Sequence, residues 1–558
     1  MGDKVSKQAL PQRSRPYMSL VPTGVPYLDE ALGGGMPQGA LAIVVGTPGS
    51  GKTTLACQMA FATAQGGGSA LVLTALSETS TKLIAHLRGF RFFDPSQIGQ
   101  SIQFLSMEHF LRQGLDATAD EMVAITRKSR ASLVVLDGFR GVRESEMEAQ
   151  SARRFLYSVG ARLGVLGTTT VITSEAQPRD PEFFTEATTA DVIVGLHYSL
   201  EGVRQRRGLE VIKVRGSKIL PGLHGFELTD RGAQVFPRLE ARVVADGERS
   251  HLTSSAPSAE LAPQEQEVED AKTSAEERHD TRARFDLPGL DMLLGGGLIR
   301  DTSTVVIGSS GSGKTLLALH FALAGVAAQE PVVYVSLREP RGQLLRIADM
   351  FTLGASLRAA LAQDGGLVFQ GWDPVEINPD VIAERIISAI DRVNAQRVVI
   401  DSIGEVEHAI SRSGDAGRIT DYLAALRVAF RRRGITALIV KEISPVGATL
   451  PIISTEPVSV LSENVLKLQQ ENDGAELRRS ISVTKMRFSA YDARPREFTI
   501  SSPAGITVED GQPVWRNGHR GHEVSDLERD VADPSWPNAI QDSHTAQTER
   551  ERLPERRS

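Results

Sequence analysis

The chain of 558 residues holds one cysteine, Cys57. A lone thiol rules out an internal disulfide and any cysteine-based metal cluster, and it leaves a reducing, cytoplasmic setting as the expectation. Its place in a helix expected behind a glycine loop marks it as a small buried hydrophobe. Aromatic residues make up only 5% of the chain, thin provision for a surface that stacks bases. No run of about 18 apolar residues occurs, so no membrane-spanning helix is expected. The opening stretch "MGDKVSKQALPQRSRPYMS" lacks the apolar core of a secretion signal. An excess of positive charge is missing too. Against 69 Asp and Glu stand 62 Lys and Arg, a formal charge of −7, which disfavours general attraction to nucleic acid. Neither a membrane nor a nucleic acid is therefore expected as a partner.

What is present is an ordinary globular composition, 41% apolar and 23% charged, in a chain too long for one core. It is also written twice. "VVGTPGSGKTT" at Val44–Thr54 returns as "VIGSSGSGKTL" at Val306–Leu316, the loop glycines Gly46 and Gly308 standing 262 residues apart. The triplets Gly33–Gly35 and Gly295–Gly297 keep the same offset of 262. "LVVLD" ending at Asp137 and "RVVID" ending at Asp401 keep 264, and Lys213 and Lys485 keep 272. Landmarks in one order at nearly one spacing mean a duplicated domain. The boundaries read as a basic arm at 1–16, a first domain at 17–242, a polar acidic linker at 243–281, a second domain at 282–508 and a charged, disordered tail at 509–558.

Within each copy a β-rich run enters the glycine loop, a helical segment follows, and strands and helices then alternate. That pattern predicts an α/β fold with a mostly parallel sheet covered on both faces. Ligands of such sheets lie beyond the strands' carboxyl ends, where these loops fall.

Gly-x-x-x-x-Gly-Lys-Thr occurs at Gly46–Thr53 and Gly308–Thr315. Glycines let consecutive backbone N–H groups turn inward around phosphate oxygens, and the following helix points its positive end at them. The predicted ATP-binding residues are Gly46, Thr47, Pro48, Gly49, Ser50, Gly51, Lys52, Thr53 and Thr54. In the second copy they are Gly308, Ser309, Ser310, Gly311, Ser312, Gly313, Lys314, Thr315 and Leu316. Lys52 and Lys314 reach for the β- and γ-phosphates, while the hydroxyls of Thr53 and Thr315 suit Mg²⁺. Asp137 and Asp401, closing apolar strands, are the expected carboxylates on that metal. Glu78 and Glu339, in "TALSETS" and "VSLREPR", are the candidates for orienting the attacking water. Lys213 with Arg215, and Lys485 with Arg487, are two apart on expected strands and so share a face. Their recurrence suggests a cation reaching the γ-phosphate of a neighbouring subunit, which demands a ring.

With the Lys-x-Arg strands placed behind both loops, in "EGVRQRRGLEVIKVRG" and "VTKMRFSAYDARPREFTIS", the sequence resembles the KaiC family, double-domain ATPases of the cyanobacterial clock. The likeness covers about residues 17–240 and 282–508. It implies two tandem RecA-like P-loop NTPase domains, ATP and Mg²⁺ at subunit boundaries, and a homohexamer; a signalling protein partner is an expectation whose identity the sequence does not give. The positions Lys213, Arg215, Lys485 and Arg487 match those that act across the boundary in that family. Where the family carries adjacent glutamates after the second strand, this chain has Ser77 before Glu78 and Arg338 before Glu339, so hydrolysis is expected chiefly at the first site. Where it carries a Ser-Thr phosphoacceptor pair, this chain has Ser459 and Val460, which leaves Ser459 as the single candidate acceptor of an autokinase. The alternatives are a DNA-dependent motor of the RecA or RadA type, for which "FRRRG" at Phe430–Gly434 is the basic patch, and a non-hydrolysing scaffold held together by nucleotide.

Overall fold

The computed structural model describes residues 19–74, 79–139, 149–179, 188–201, 203–254, 282–362, 365–412, 414–415, 417–443, 462–473 and 476–509. The first glycine loop leaves β1 (Leu41–Gly46), a strand with every residue buried. Its pleat sends Ala42 and Val44 into one core cluster and Leu41, Ile43 and Val45 into another. A strand apolar on both faces belongs at the centre of a sheet with helices on either side. The loop runs into α1 (Lys52–Gln65), where Cys57 is fully buried. There follow β2 (Ala70–Thr74), β3 (Ile102–Ser106), β4 (Leu133–Asp137), β5 (Thr169–Glu175), β6 (Val192–Glu201), β7 (Arg204–Val214), β8 (Leu223–Thr229) and β9 (Gly232–Phe236).

These strands form one nine-stranded sheet in the order β9-β8-β7-β6-β1-β5-β4-β2-β3. Pairing is parallel from β6 to β3 and antiparallel from β6 out to β9. The parallel part puts the ends of β1, β2, β4 and β5 on one edge, around the loop. Ahead of β1, Gly33, Gly34 and Gly35 all take positive φ, from 86° to 130°. A side chain there is strained, so the triplet is a backbone requirement.

Helix α2 (Leu239–Ser254) crosses the boundary expected at 242/243. Residues expected as linker thus continue a helix, while 255–281 lie outside the described residues, as do the arm 1–16 and 510–558 of the tail. Leu239 and Val243 of α2 pack into a core cluster of the second half, and Arg242 bridges Glu30 at 2.6 Å and Glu384. A buried leucine and a half-buried valine one helical turn apart outweigh the polar composition that suggested a linker.

The second half repeats the plan. β10 (Ser303–Gly308) leads through the loop to α3 (Lys314–Ala327), then β11 (Val332–Ser336), β12 (Leu367–Gly371), α4 (Pro379–Val393), β13 (Arg397–Asp401), α5 (Gly404–Arg412), α6 (Arg418–Arg432), β14 (Thr436–Glu442), β15 (Asn464–Asp473), β16 (Glu476–Met486), β17 (Arg496–Ser501) and β18 (Gly505–Val508). The sheet order β12-β11-β13-β14-β10-β15-β16-β17-β18 is the first one again. The "FRRRG" patch is the end of α6, where cations suit the helix dipole. Arg432 there donates to the Val243 carbonyl at 3.1 Å, and Arg433 pairs with Asp391 at 2.7 Å. These contacts are internal to the fold, which weakens the case for a nucleic-acid surface.

Candidate functional site

Each loop is wound as tightly as its glycines permit. A Cβ on Gly46 would stand 2.6 Å from both the Leu196 carbonyl and Ser50 Oγ, and one on Gly308 would stand 2.6 Å from Ser312 Oγ. Gly51 and Gly313, at φ 105° and 96°, turn the chain into α1 and α3, aiming the helix N-termini into the loops. Thr47 Oγ1 and Ser50 Oγ are buried with no hydrogen-bond partner, a costly arrangement unless a guest supplies one. Lys52 Nζ donates to the Thr47 carbonyl at 3.0 Å, and Lys314 Nζ to the Ser309 carbonyl at 2.6 Å. Burial lowers the pKa of both lysines, against the pull of Glu175 and Asp137 on Lys52 and of Glu442 and Asp401 on Lys314. An entering polyanion would favour the charged form of each. Leu316 packs its side chain into the core, so only its main chain can face a phosphate.

Beneath the first loop, Thr53 Oγ1 donates to Asp137 at 2.9 Å, and Thr173 Oγ1 donates to the same carboxylate at 2.6 Å. Thr173 Oγ1 in turn accepts from the Gly138 N–H at 2.9 Å, so Asp137 is held from helix α1 and strand β5. Beneath the second loop, Tyr334 donates to Asp401 at 3.1 Å. Burial raises the pKa of Asp401, while hydrogen bonds from Thr315 and Tyr334 and the charge of Lys314 pull it down. Among the described residues no cluster of three His, Cys, Asp or Glu gathers for a metal. One hydroxyl and one carboxylate, both hard oxygen donors, nevertheless fit Mg²⁺, which takes few protein ligands and completes its shell with phosphate and water.

Glu78 and Ser77 lie outside the described residues. Glu339 stands just past β11, its N–H donating to Ser336 Oγ at 3.2 Å. Burial and then the charge of Asp401 raise its pKa, with Arg338 opposing them. A carboxylate so shifted is a better base than an ordinary one. Arg338 itself pairs with Glu405 at 2.7 Å and with Glu442.

The Lys-x-Arg pairs depart from the expected shared strand face. β7 ends at Val214 and β16 at Met486, with a bulge just before each lysine, so Arg215 and Arg487 open the following turns. Bulges redirect side chains, and Lys213 Nζ and Arg215 Nη2 converge on the Thr188 carbonyl at 3.3 and 3.0 Å. In the second half Lys485 Nζ donates to the Ser462 carbonyl at 2.7 Å. β7 runs antiparallel to β6, and Lys213 pairs with Ile193, whereas the loop's Gly46 is level with Leu196. Each pair therefore sits toward the sheet edge away from its own loop.

Reading the sequence missed several groups that ring the loops. Glu175 and Glu442 close β5 and β14 and pair in register with Gly46 and Gly308. Their recurrence at the ends of "TTVITSE" and "TALIVKE" was the available signal. Arg207 lies over the Tyr198 ring at 4.7 Å and reaches the Gly49 carbonyl at 3.5 Å; Gln470 donates to the Ser310 carbonyl at 3.0 Å. Arg207 lies within the quoted "EGVRQRRGLEVIKVRG" but had no role assigned, and Gln470 belongs to no motif.

A central parallel strand, a glycine-rich loop with its lysine, a helix, and a strand-end aspartate under the loop's threonine, given twice, define a tandem P-loop ATPase of RecA-like architecture. The chain belongs to the KaiC ATPase family, whose model matches residues 21–240 and 284–512. The circadian clock oscillator protein KaiC of Picosynechococcus is 24% identical over 91% of this chain and 95% of its own length. The proteins of the same name from Synechococcus elongatus and Thermosynechococcus vestitus are each 25% identical over 89% of this chain and 90% of their own length.

Proposed function

We propose that the protein binds ATP with Mg²⁺ at both loops and hydrolyses it chiefly at the first, as a ring of six chains with a regulatory or signalling role. The observation that carries the reading is the pair of glycine loops whose lysines donate to loop carbonyls, the first loop also holding two buried hydroxyls that lack partners. Lys52 and Lys314 would exchange those carbonyls for β- and γ-phosphate oxygens, a stronger, charge-assisted bond. Thr53 with Asp137, and Thr315 with Asp401, would hold the Mg²⁺, which supplies charge neutralisation of the phosphates. Glu78, and at the second site Glu339, would orient and deprotonate the attacking water. Lys213 with Arg215, and Lys485 with Arg487, would serve the γ-phosphate of the adjoining chain. Their place away from their own loops supports a role across a boundary. Purified protein is expected to release phosphate from ATP with Mg²⁺, and to stop on chelation with EDTA; no release with Mg²⁺ would refute the reading.

A serine autokinase belongs to the same proposal. Ser459, outside the described residues, would accept the γ-phosphate, with ADP leaving and the hydroxyl proton passing to a base. Incubation with MgATP is then expected to add one phosphate to the intact mass, and Ser459→Ala to prevent it. An unchanged mass would end that part. The relatives' name, clock oscillator protein, supports a regulatory role.

A further inference from the structure

We propose that Arg338 is a cation which the second half supplies to its own nucleotide, reading the γ-phosphate from within the same chain; this rests on the ATP reading of the second loop. In register, Ser336, Asp401 and Val440 stand side by side on β11, β13 and β14. Arg338 and Glu442 each lie two residues past that level, at the carboxyl edge. The Nε of Arg338 donates to Glu405 at 2.7 Å and its Nη1 donates to Glu442. The guanidinium thus spans from the end of β11 over the end of β13, where Asp401 lies, to the end of β14. It stops one strand short of β10, whose Gly308 is level with Glu442. A terminal phosphate projecting from the loop enters that mouth.

Of the two carboxylates that act on the Lys314 charge, Glu442 acts more strongly than Asp401, and Arg338 opposes them. At the mouth of the loop Glu442 is thus the ion-pair partner of Arg338 while its charge also acts on Lys314. The Arg338 side chain is 46% exposed, so water screens its two ion pairs and they hold it in place at little depth of energy. A γ-phosphate offers three strong acceptor oxygens and more charge than one carboxylate, and a guanidinium fork has donors to spare for it. Arg338 exchanges Glu442 for that phosphate when ATP is bound and returns to Glu442 when only ADP remains. The arrangement gives the second site a preference for ATP over ADP that needs no neighbouring chain.

The test uses the full chain with Lys52→Ala, so that binding is read at the second loop, with ADP and a β,γ-imido analogue of ATP as probes. Arg338→Gln is expected to leave ADP affinity within about twofold and to weaken the analogue about ten- to hundredfold, the worth of one charge-assisted hydrogen bond. Arg338→Lys is expected to recover part of the loss. An unchanged preference in Arg338→Gln, or equal weakening of both probes, would overturn the proposal and leave the ATP reading standing. Failure of the Lys52→Ala parent to bind either probe would overturn the ATP reading and this proposal with it.

Discussion

Lys52→Ala is expected to remove one bound nucleotide per chain and most of the ATP turnover, whereas Lys314→Ala removes the other nucleotide and little turnover. Both lysines are buried at the same place in the same loop, each spending its ammonium on a loop carbonyl. Loss of either leaves the phosphates without their nearest cation. A hydrogen bond to a charged group contributes about 1.5–3 kcal/mol, so affinity at the altered loop should fall at least tenfold. The asymmetry in turnover has a separate cause. At the second site Arg338 stands beside Glu339 and bridges Glu405 and Glu442, so the water faces a cation where a base is needed. Phosphate release and bound-nucleotide counts on the two variants read both effects. Equal losses of turnover would show that the sites share the work.

Mixing is expected to restore what two variants lack separately. Arg215→Ala keeps its loop but loses its cation, and Lys52→Ala keeps its cation but loses its loop. A γ-phosphate arginine contributes about a thousandfold or more to turnover, so neither variant alone should release much phosphate at the first site. Lys213 and Arg215 lie toward the sheet edge away from their own loop, and on the proposed reading the loop they would serve belongs to another chain. In a randomly mixed ring about one boundary in four joins an intact loop to an intact cation. Turnover should therefore recover to about a quarter of the unaltered protein. Persistent inactivity in a mixture whose chains exchange would place the cation's action within its own chain.

The strand-loop-helix units, both aspartate strands and the burial of Cys57 were legible because each is local: a glycine pattern, an apolar run, a helix face. The sheet's parallel character followed from alternation. Less legible was anything set by pairing across the sheet. Thr173 is one strand residue among several threonines in "GTTTVITS", and only the alignment of β5 beside β4 brings its hydroxyl onto Asp137. Tyr334 looks like a core aromatic until β11 lies against β13. Glu175 and Glu442 become neighbours of the loops only through register. The helix α2 was hidden by averaging, since "LEARVVADGERSHLTS" is polar overall while Leu239 is buried and Val243 packs half-buried beside it. The Lys-x-Arg pairs were found by recurrence, but their bulges, which move each arginine off the strand, carry no sequence mark.

The central claim is that each chain holds two molecules of ATP and that its boundary cations come from another chain. Native mass measurement of the full protein in MgATP tests it most directly. Expected is a particle of six chains with two nucleotides on each, falling to one nucleotide per chain in Lys52→Ala or Lys314→Ala. A particle of one chain, or a ring without nucleotide, would contradict it.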